Sequence, residues 1–283
     1  MLFQQLLIAG LITGAVYSLV GVGFTLVLGV GKVANFAHGG FVALGLYTAL
    51  VAHECLGMNA YATLVPATLV FLLVGFGVGE LFEWRARKAG EIGQLLVGLA
   101  LLLLIGGLLE VLFKNNPRTI EGTTLGQVRV AGLTVTGAEI FAGVFTLAVA
   151  LGIYVMVRRT RWGRAMRAVA DNPEAAGLYG VHVPVARRAA LALSIAIAGA
   201  AGVVISPFTT LTPEVGTAYL ISAFAVVILG RIGNPLGAVA AGLGLGIVNS
   251  LSAGYLASYW TTLAPLLLIL LVLLLRPDEG AVV

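Results

Sequence analysis

Gly29-Val-Gly-Lys-Val33 is where this sequence comes nearest to a reactive motif. A Gly-x-x-x-x-Gly-Lys-Ser/Thr loop turns backbone amides and a lysine toward nucleotide phosphates, with its hydroxyl on magnesium. Here Leu26 stands where the first glycine belongs and Val33 where the hydroxyl belongs, so that route to nucleotide binding is closed. The sequence has no His-Glu-x-x-His or Gly-x-Ser-x-Gly motif and no paired carboxylates in a catalytic context, and its three scattered histidines do not form a metal site. The single cysteine, Cys55, excludes an intramolecular disulfide and Cys-x-x-Cys chemistry, and reads as a small apolar residue near a helix end. The chain is expected to be neither an enzyme nor the holder of a cofactor or metal.

Two other groups of polar residues could act. Asn35, His38 and Asn249 fall within or beside long apolar runs, where a polar side chain is costly unless it is paired or lines a wet path. Asn249 fits either an interhelical hydrogen bond or a translocation path. Asn35 and His38 fit either a capped, broken helix start or the same path. The second group is the one long hydrophilic interruption, from Arg158 to Gly180. Trp162, Met166 and Val169 repeat at i, i+4 and i+7, while Arg164, Arg167 and Asp171 lie on another side, which predicts a short amphipathic helix over 161–170. Gly163 lies in its first turn. Asn172 then reads as an N-cap, Pro173 as the first helical position and Glu174 as a favourable charge at the positive end of the dipole. A second short helix, about 173–179, carries Ala175 and Ala176 and stops at Gly180. Such a corner can lie on anionic lipid or dock into another protein; its mixed charge favours docking.

The surrounding elements follow from composition. Hydrophobic residues make up 60% of the 283, charged residues 10%, and mean hydropathy is +1.06, far from a soluble domain. Apolar runs fall at about 5–30, 36–56, 61–82, 93–113, 138–157, 188–206, 216–230, 235–253 and 257–275. The expected fold is an all-α polytopic membrane bundle of eight or nine segments, filling residues 1–283 as one transmembrane domain. The second and seventh segments could be broken or re-entrant. The first is too long for a signal-peptide core, and no Lys or Arg precedes it, so it reads as a retained span.

Placing Lys32, Arg85 to Lys88, Arg158 to Arg188, Arg231 and Arg276 on one side collects 13 of the 16 basic residues there, leaving Lys114, Arg118 and Arg129 opposite. The positive-inside rule makes the first side cytoplasmic, with the N-terminus outside and the C-terminus inside. The net charge of +4 therefore speaks of topology and not of nucleic acid. Glu54, Glu80 and Glu110 fall near span ends, within reach of headgroups or water, and Pro66 and Pro265 are expected to start or kink helices. The outer segment 114–137 alternates as a short hairpin around Ala131-Gly132. Small residues recur at fourfold spacing in Gly10, Gly14 and Ser18 and in Gly242, Gly246, Ser250 and Gly254, stripes that let helices approach closely in lipid. A faint echo links Phe24 to Gly29, followed by Asn35 and Gly39, with Phe224 to Gly230, followed by Asn234 and Gly237.

The segment from Arg161 to Val181, Arg-Trp-Gly-Arg-Ala-Met-Arg-Ala-Val-Ala-Asp-Asn-Pro-Glu-Ala-Ala-Gly-Leu-Tyr-Gly-Val, closely resembles the cytoplasmic coupling loop of permease subunits of branched-chain amino acid ABC importers. Asn35-Phe-Ala-His-Gly39, Leu229-Gly-Arg-Ile-Gly-Asn-Pro-Leu-Gly-Ala238 and Leu274-Leu-Arg-Pro277 are similar to that family in the same order, so the resemblance spans nearly the whole chain. It implies a subunit of a bacterial or archaeal inner membrane that pairs with a homologous permease as a heterodimer. It further implies two cytoplasmic ATPases, which bind the ATP and magnesium, and an external solute-binding protein. The coupling loop spans 158–187, with Trp162, Gly163, Arg164, Met166, Arg167, Asp171, Asn172, Pro173, Glu174, Ala175, Ala176 and Gly180 as the coupling residues. Glu174-Ala-Ala176 and Gly180 match the opening of the wider importer signature, but the Ile-x-Leu-Pro that ends that signature is missing after Gly180. A permease for urea or short amides shares this architecture. An ion-coupled secondary transporter is the alternative of another class, disfavoured because the segments carry almost no ionisable groups mid-span.

Overall fold

The computed structural model describes residues 2–32, 35–120, 126–130, 133–256 and 260–275. Within them the chain is a bundle of helices, as apolar runs must be in lipid, where each backbone N–H and C=O needs a partner inside its own segment. The long helices are α1 (Leu2–Gly31), α2 (Ala37–Leu56), α3 (Leu64–Leu81), α4 (Gly90–Phe113), α5 (Gly137–Arg159), α8 (Val183–Ile205), α9 (Val215–Gly230), α10 (Pro235–Tyr255) and α11 (Trp260–Leu275). Two short helices, α6 (Arg161–Asp171) and α7 (Pro173–Leu178), lie between α5 and α8.

Among the described residues, six helical stretches are long and apolar enough to cross a membrane, one of them, Ala60–Phe113, holding α3 and α4 in succession. Val215–Gly230 and Leu263–Val272 are apolar but shorter. The outward faces of α3 and α4 expose Leu69, Leu73, Leu103, Leu104 and Val111, as a bilayer-facing surface does.

The two small-residue stripes face each other. α1 packs against α10 running the opposite way, with Gly10 and Gly14 against Ile247 and Leu243, and Gly246 against Gly14. A Cβ on Gly14 would stand 2.7 Å from the Leu243 Cα, so nothing larger than hydrogen fits. Serines pin the contact: Ser18 donates to the Val239 carbonyl at 3.0 Å and Ser250 to that of Leu6 at 2.7 Å.

The second segment is broken at its start. His38, in the first turn of α2, contacts the Val20 carbonyl, eleven residues before α1 ends at Gly31, or about 16 Å at the helical rise. α2 therefore begins inside the bundle, level with the middle of α1. The seventh segment leads into a similar break: Gly233 donates its N–H to the Thr25 hydroxyl at 2.9 Å and lies against Gly29. The internal echo thus has a structural form. Both α1 and α9 end at glycine, and both are followed by a basic residue at positive φ, Lys32 at 50° and Arg231 at 68°, with asparagine three residues on. The echoed rings Phe24 and Phe224 touch edge-to-face, their centroids 4.6 Å apart.

On the opposite end, β1 (Gln127–Val130) and β2 (Leu133–Thr136) pair antiparallel, with Gln127 opposite Thr136 and Val130 opposite Leu133. The expected turn at Ala131-Gly132 lies outside the described residues, as does the Arg276-Pro277 ending. Thr136 and Glu139 close a reciprocal capping box, so the hairpin passes directly into α5. Glu54 pairs with Arg118 at 2.9 Å, and Arg118 bridges to Leu211 through backbone hydrogen bonds. Pro66 sits in the first turn of α3 and Pro265 inside α11.

Candidate functional site

The hydrophilic interruption folds as two capped helices. α6 starts at Thr160, whose hydroxyl oxygen accepts the Gly163 N–H at 3.0 Å while the hydroxyl donates to the Met156 carbonyl at 2.6 Å. Gly163 is pressed against the last turn of α5: a Cβ there would collide with the carbonyls of Met156 and Val157. Met166 and Val169 are buried, whereas Arg161, Trp162, Arg164, Arg167 and Asp171 are exposed. The i, i+4, i+7 face anchors α6 on α5 and α8, except that Trp162, grouped with it by spacing, is 60% exposed and points away.

Asn172 then leaves helical geometry, its Oδ1 accepting the Ala175 N–H at 3.0 Å, with Pro173 at the first helical position and Glu174 exposed in the first turn. Ala176 is buried and Ala175 half-buried. α7 closes in a Schellman turn: the N–H of Val181 reaches the Ala176 carbonyl, that of Gly180 reaches Gly177, and Gly180 sits at φ 81°. Two residues that spacing alone left out stand farthest into solvent here, Leu178 at 90% and Tyr179 at 89% exposed. Their sequence signal is two large apolar side chains between Gly177 and Gly180 at the end of a capped helix. Missed too was Thr160, a hydroxyl one residue before the amphipathic repeat.

This corner shares one end of the bundle with most of the basic residues. Gly31, the turn 82–89 and the start of α8 meet there, and Gly29 meets Gly233 there. Lys32, Arg85, Arg87, Lys88, the arginines from 158 to 188 and Arg231 all belong to these segments.

The buried polar groups form two separate sites. Asn35 Oδ1 accepts the Ala37 N–H at 3.1 Å, capping α2, while its Nδ2 has no partner among the described residues. His38 is fully buried, bonded through Nε2 to the Val20 carbonyl at 3.0 Å and through Nδ1 to the Ser194 hydroxyl at 3.2 Å, and tilted against Phe24. It ties three helices together. Asn249, by contrast, donates from Nδ2 to the Tyr17 hydroxyl at 2.7 Å. Its partner Tyr17 lies on α1 within one helical turn of Val20, but no hydrogen bond among the described residues joins Asn249 to Asn35 or His38.

Among the described residues, no group of three His, Cys, Asp or Glu side chains is placed to hold a metal ion. The chain is a helical membrane protein with a capped polar corner at its basic end. The chain belongs to the family described as branched-chain amino acid transport system, permease component, whose model matches residues 6–274. It is 27% identical over 293 residues to the high-affinity branched-chain amino acid transport system permease protein LivH of Escherichia coli strain K12, covering 97% of this chain and 94% of that protein. The probable branched-chain amino acid transport permease protein LivH of Methanocaldococcus jannaschii is 31% identical over 254 residues, 86% of this chain and 79% of its own length. More distant is the ribose import permease protein RbsC of Escherichia coli strain K12, 26% identical over 275 residues, 92% of this chain and 82% of that protein. No solved structure shows a significant match.

Proposed function

We infer that this chain is the translocation subunit of an ATP-driven importer for branched-chain or related small amino acids, moved from the loop 158–187. The observation that carries this is the corner itself: α6 and α7 are fixed to the bundle by Met166, Val169 and Ala176, yet present Trp162, Leu178 and Tyr179 outward. A loop anchored on one face and apolar on the other transmits motion from a partner instead of absorbing it. Trp162, Gly163, Arg164, Met166, Arg167, Asp171, Asn172, Pro173, Glu174, Ala175, Ala176 and Gly180 build it, and Leu178 and Tyr179 complete its contact surface.

In this reading the basic end faces the cytoplasm, with the N-terminus outside and the C-terminus inside. Two ATPases carrying ATP and magnesium engage the corner, a homologous permease completes the path, and a solute-binding protein meets the hairpin end. The binding protein selects the cargo, so the permease needs only weak contacts with it. The capping and bridging bonds of Asn35 and His38 favour a structural role over path lining, and Asn249 with its unpartnered Oδ1 remains the better path candidate.

Purifying the chain with the products of its neighbouring genes tests the reading. ATPases should co-purify, and Tyr179→Asp should weaken that association. The accompanying binding protein should prefer leucine, isoleucine or valine; a preference for urea or short amides would replace the proposed cargo within the same architecture.

A further inference from the structure

Beside the coupling corner, the turn between α3 and α4 and the start of α8 enclose a recess that the corner does not use. The helix loosens to π geometry over Phe82–Ala86, tightens over Arg87–Ala89, and reverses at Gly90 with φ 76°. Phe82 and Ala86 turn inward while Trp84 and Arg85 stay exposed. Gly79 lets α3 approach α8 closely enough that a Cβ would stand 3.2 Å from the Arg188 Cα. Gly31, Phe82, Glu83, Arg87, Arg187 and Arg188 are among the residues that line the recess.

Its charges are unequal. Arg87 pairs with Glu83 at 3.0 Å, and Arg188 pairs with Glu80. Arg187 has no such partner: its Nε is buried without a hydrogen bond and no carboxylate of the described residues lies within 4 Å, so that it feels the like charge of Arg87 and only the more distant attraction of Glu83, which is already paired with Arg87. Three arginines against two glutamates leave one net positive charge around the recess, and the exposed Arg85 and Lys88 of the same turn add two more against the one negative charge of exposed Glu91 at the start of α4. The enclosed volume is about 10 Å³, room for one oxygen-sized group.

We propose that this recess binds the phosphodiester of an anionic phospholipid, one non-bridging oxygen entering toward the Arg187 Nε and the headgroup spreading over the basic rim. Basic pockets between membrane helices recognise such headgroups. A lipid fits better than a soluble anion because α3 and α4, on either side of the turn that forms the recess, expose Leu73, Phe76, Leu81 and Ile92, a surface suited to acyl chains. Trp84, with the Arg85 guanidinium 4.0 Å above its ring, marks interfacial depth.

The test is native mass spectrometry of the purified full-length chain with phosphatidylglycerol, with phosphatidylcholine, and with inorganic phosphate. One unpaired arginine is worth about 1 kcal/mol toward an anionic headgroup, so phosphatidylglycerol should be retained about fivefold over phosphatidylcholine. Arg187→Gln should remove most of the preference, leaving only the smaller share due to the rim, and Arg187→Lys should keep more of it. If Arg187→Gln does not accumulate, Arg85→Gln at the rim should lower the preference by a smaller factor. Equal retention of both lipids by the unmodified chain would overturn the proposal, as would an unchanged preference in Arg187→Gln. Displacement of the lipid by inorganic phosphate at equal concentration would reassign the recess to a soluble anion. Loss of lipid binding whenever the ATPases are attached would reassign it to a protein contact.

Discussion

Gly180→Ala isolates the rigidity of the corner at 158–187, proposed to couple to the ATPases, from its surface chemistry. Gly180 holds φ at 81°, and no atom lies within 4 Å of where its Cβ would be. The substitution therefore meets no clash; its whole cost is the left-handed backbone, about 1–2 kcal/mol for a residue with a Cβ. α7 has six residues, too few to stay helical unaided, so its order depends on Asn172 at one end and the Schellman turn at the other. Withdrawing 1–2 kcal/mol shifts the corner toward its open form by a factor of about 5–30. Asparagine tolerates left-handed geometry better than alanine, so Gly180→Asn should cost less. The assay is solute imported per ATP hydrolysed by the complete importer in proteoliposomes, with membrane content checked by immunoblot. The ratio should fall in the order glycine, asparagine, alanine, at unchanged membrane content. A ratio in Gly180→Ala equal to that of the unmodified chain, or an asparagine variant worse than alanine, would refute the reasoning.

Other substitutions separate anchoring from contact and packing. Gly163→Pro lifts α6 off the end of α5, and Glu174→Lys puts a positive charge at a helix start worth about 0.3–1 kcal/mol to an acid; both should leave the protein in the membrane with ATP hydrolysis uncoupled from uptake. Ser194→Ala strips His38 Nδ1 of its partner in a fully buried site, and thermal unfolding in detergent should show a loss of about 1–3 kcal/mol. Gly14→Leu forces α1 from α10, and the folded protein should largely disappear from size-exclusion profiles. Glu54→Gln breaks an exposed ion pair and should cost less than about 1 kcal/mol by the same unfolding measurement.

Local pattern made some of this legible and could not reach the rest. The spans follow from apolar length, and the corner follows from Asn172, Pro173 and Gly180, whose cap, first-turn and left-handed preferences act over a few residues. The facing of the two small-residue stripes was not legible, because either stripe could have met any helix. Nor was the depth at which α2 begins, which rests on bonds from His38 to Val20 and to Ser194, 156 residues away. Spacing also misassigned the outward direction of Trp162 and passed over Leu178 and Tyr179, since apolar residues on a short helix look alike whether they anchor or protrude. The π turn at Phe82–Ala86, at the end of α3, carries no sequence signature.

The central claim is that energy made elsewhere enters through the corner at 158–187. Reconstitute the chain with its partner permease, ATPases and binding protein, and measure uptake of labelled leucine with ATP inside the vesicles, without ATP, and under an imposed proton or sodium gradient. Uptake that requires both the ATPases and ATP is the predicted result; sustained uptake by this chain alone under an ion gradient would contradict it.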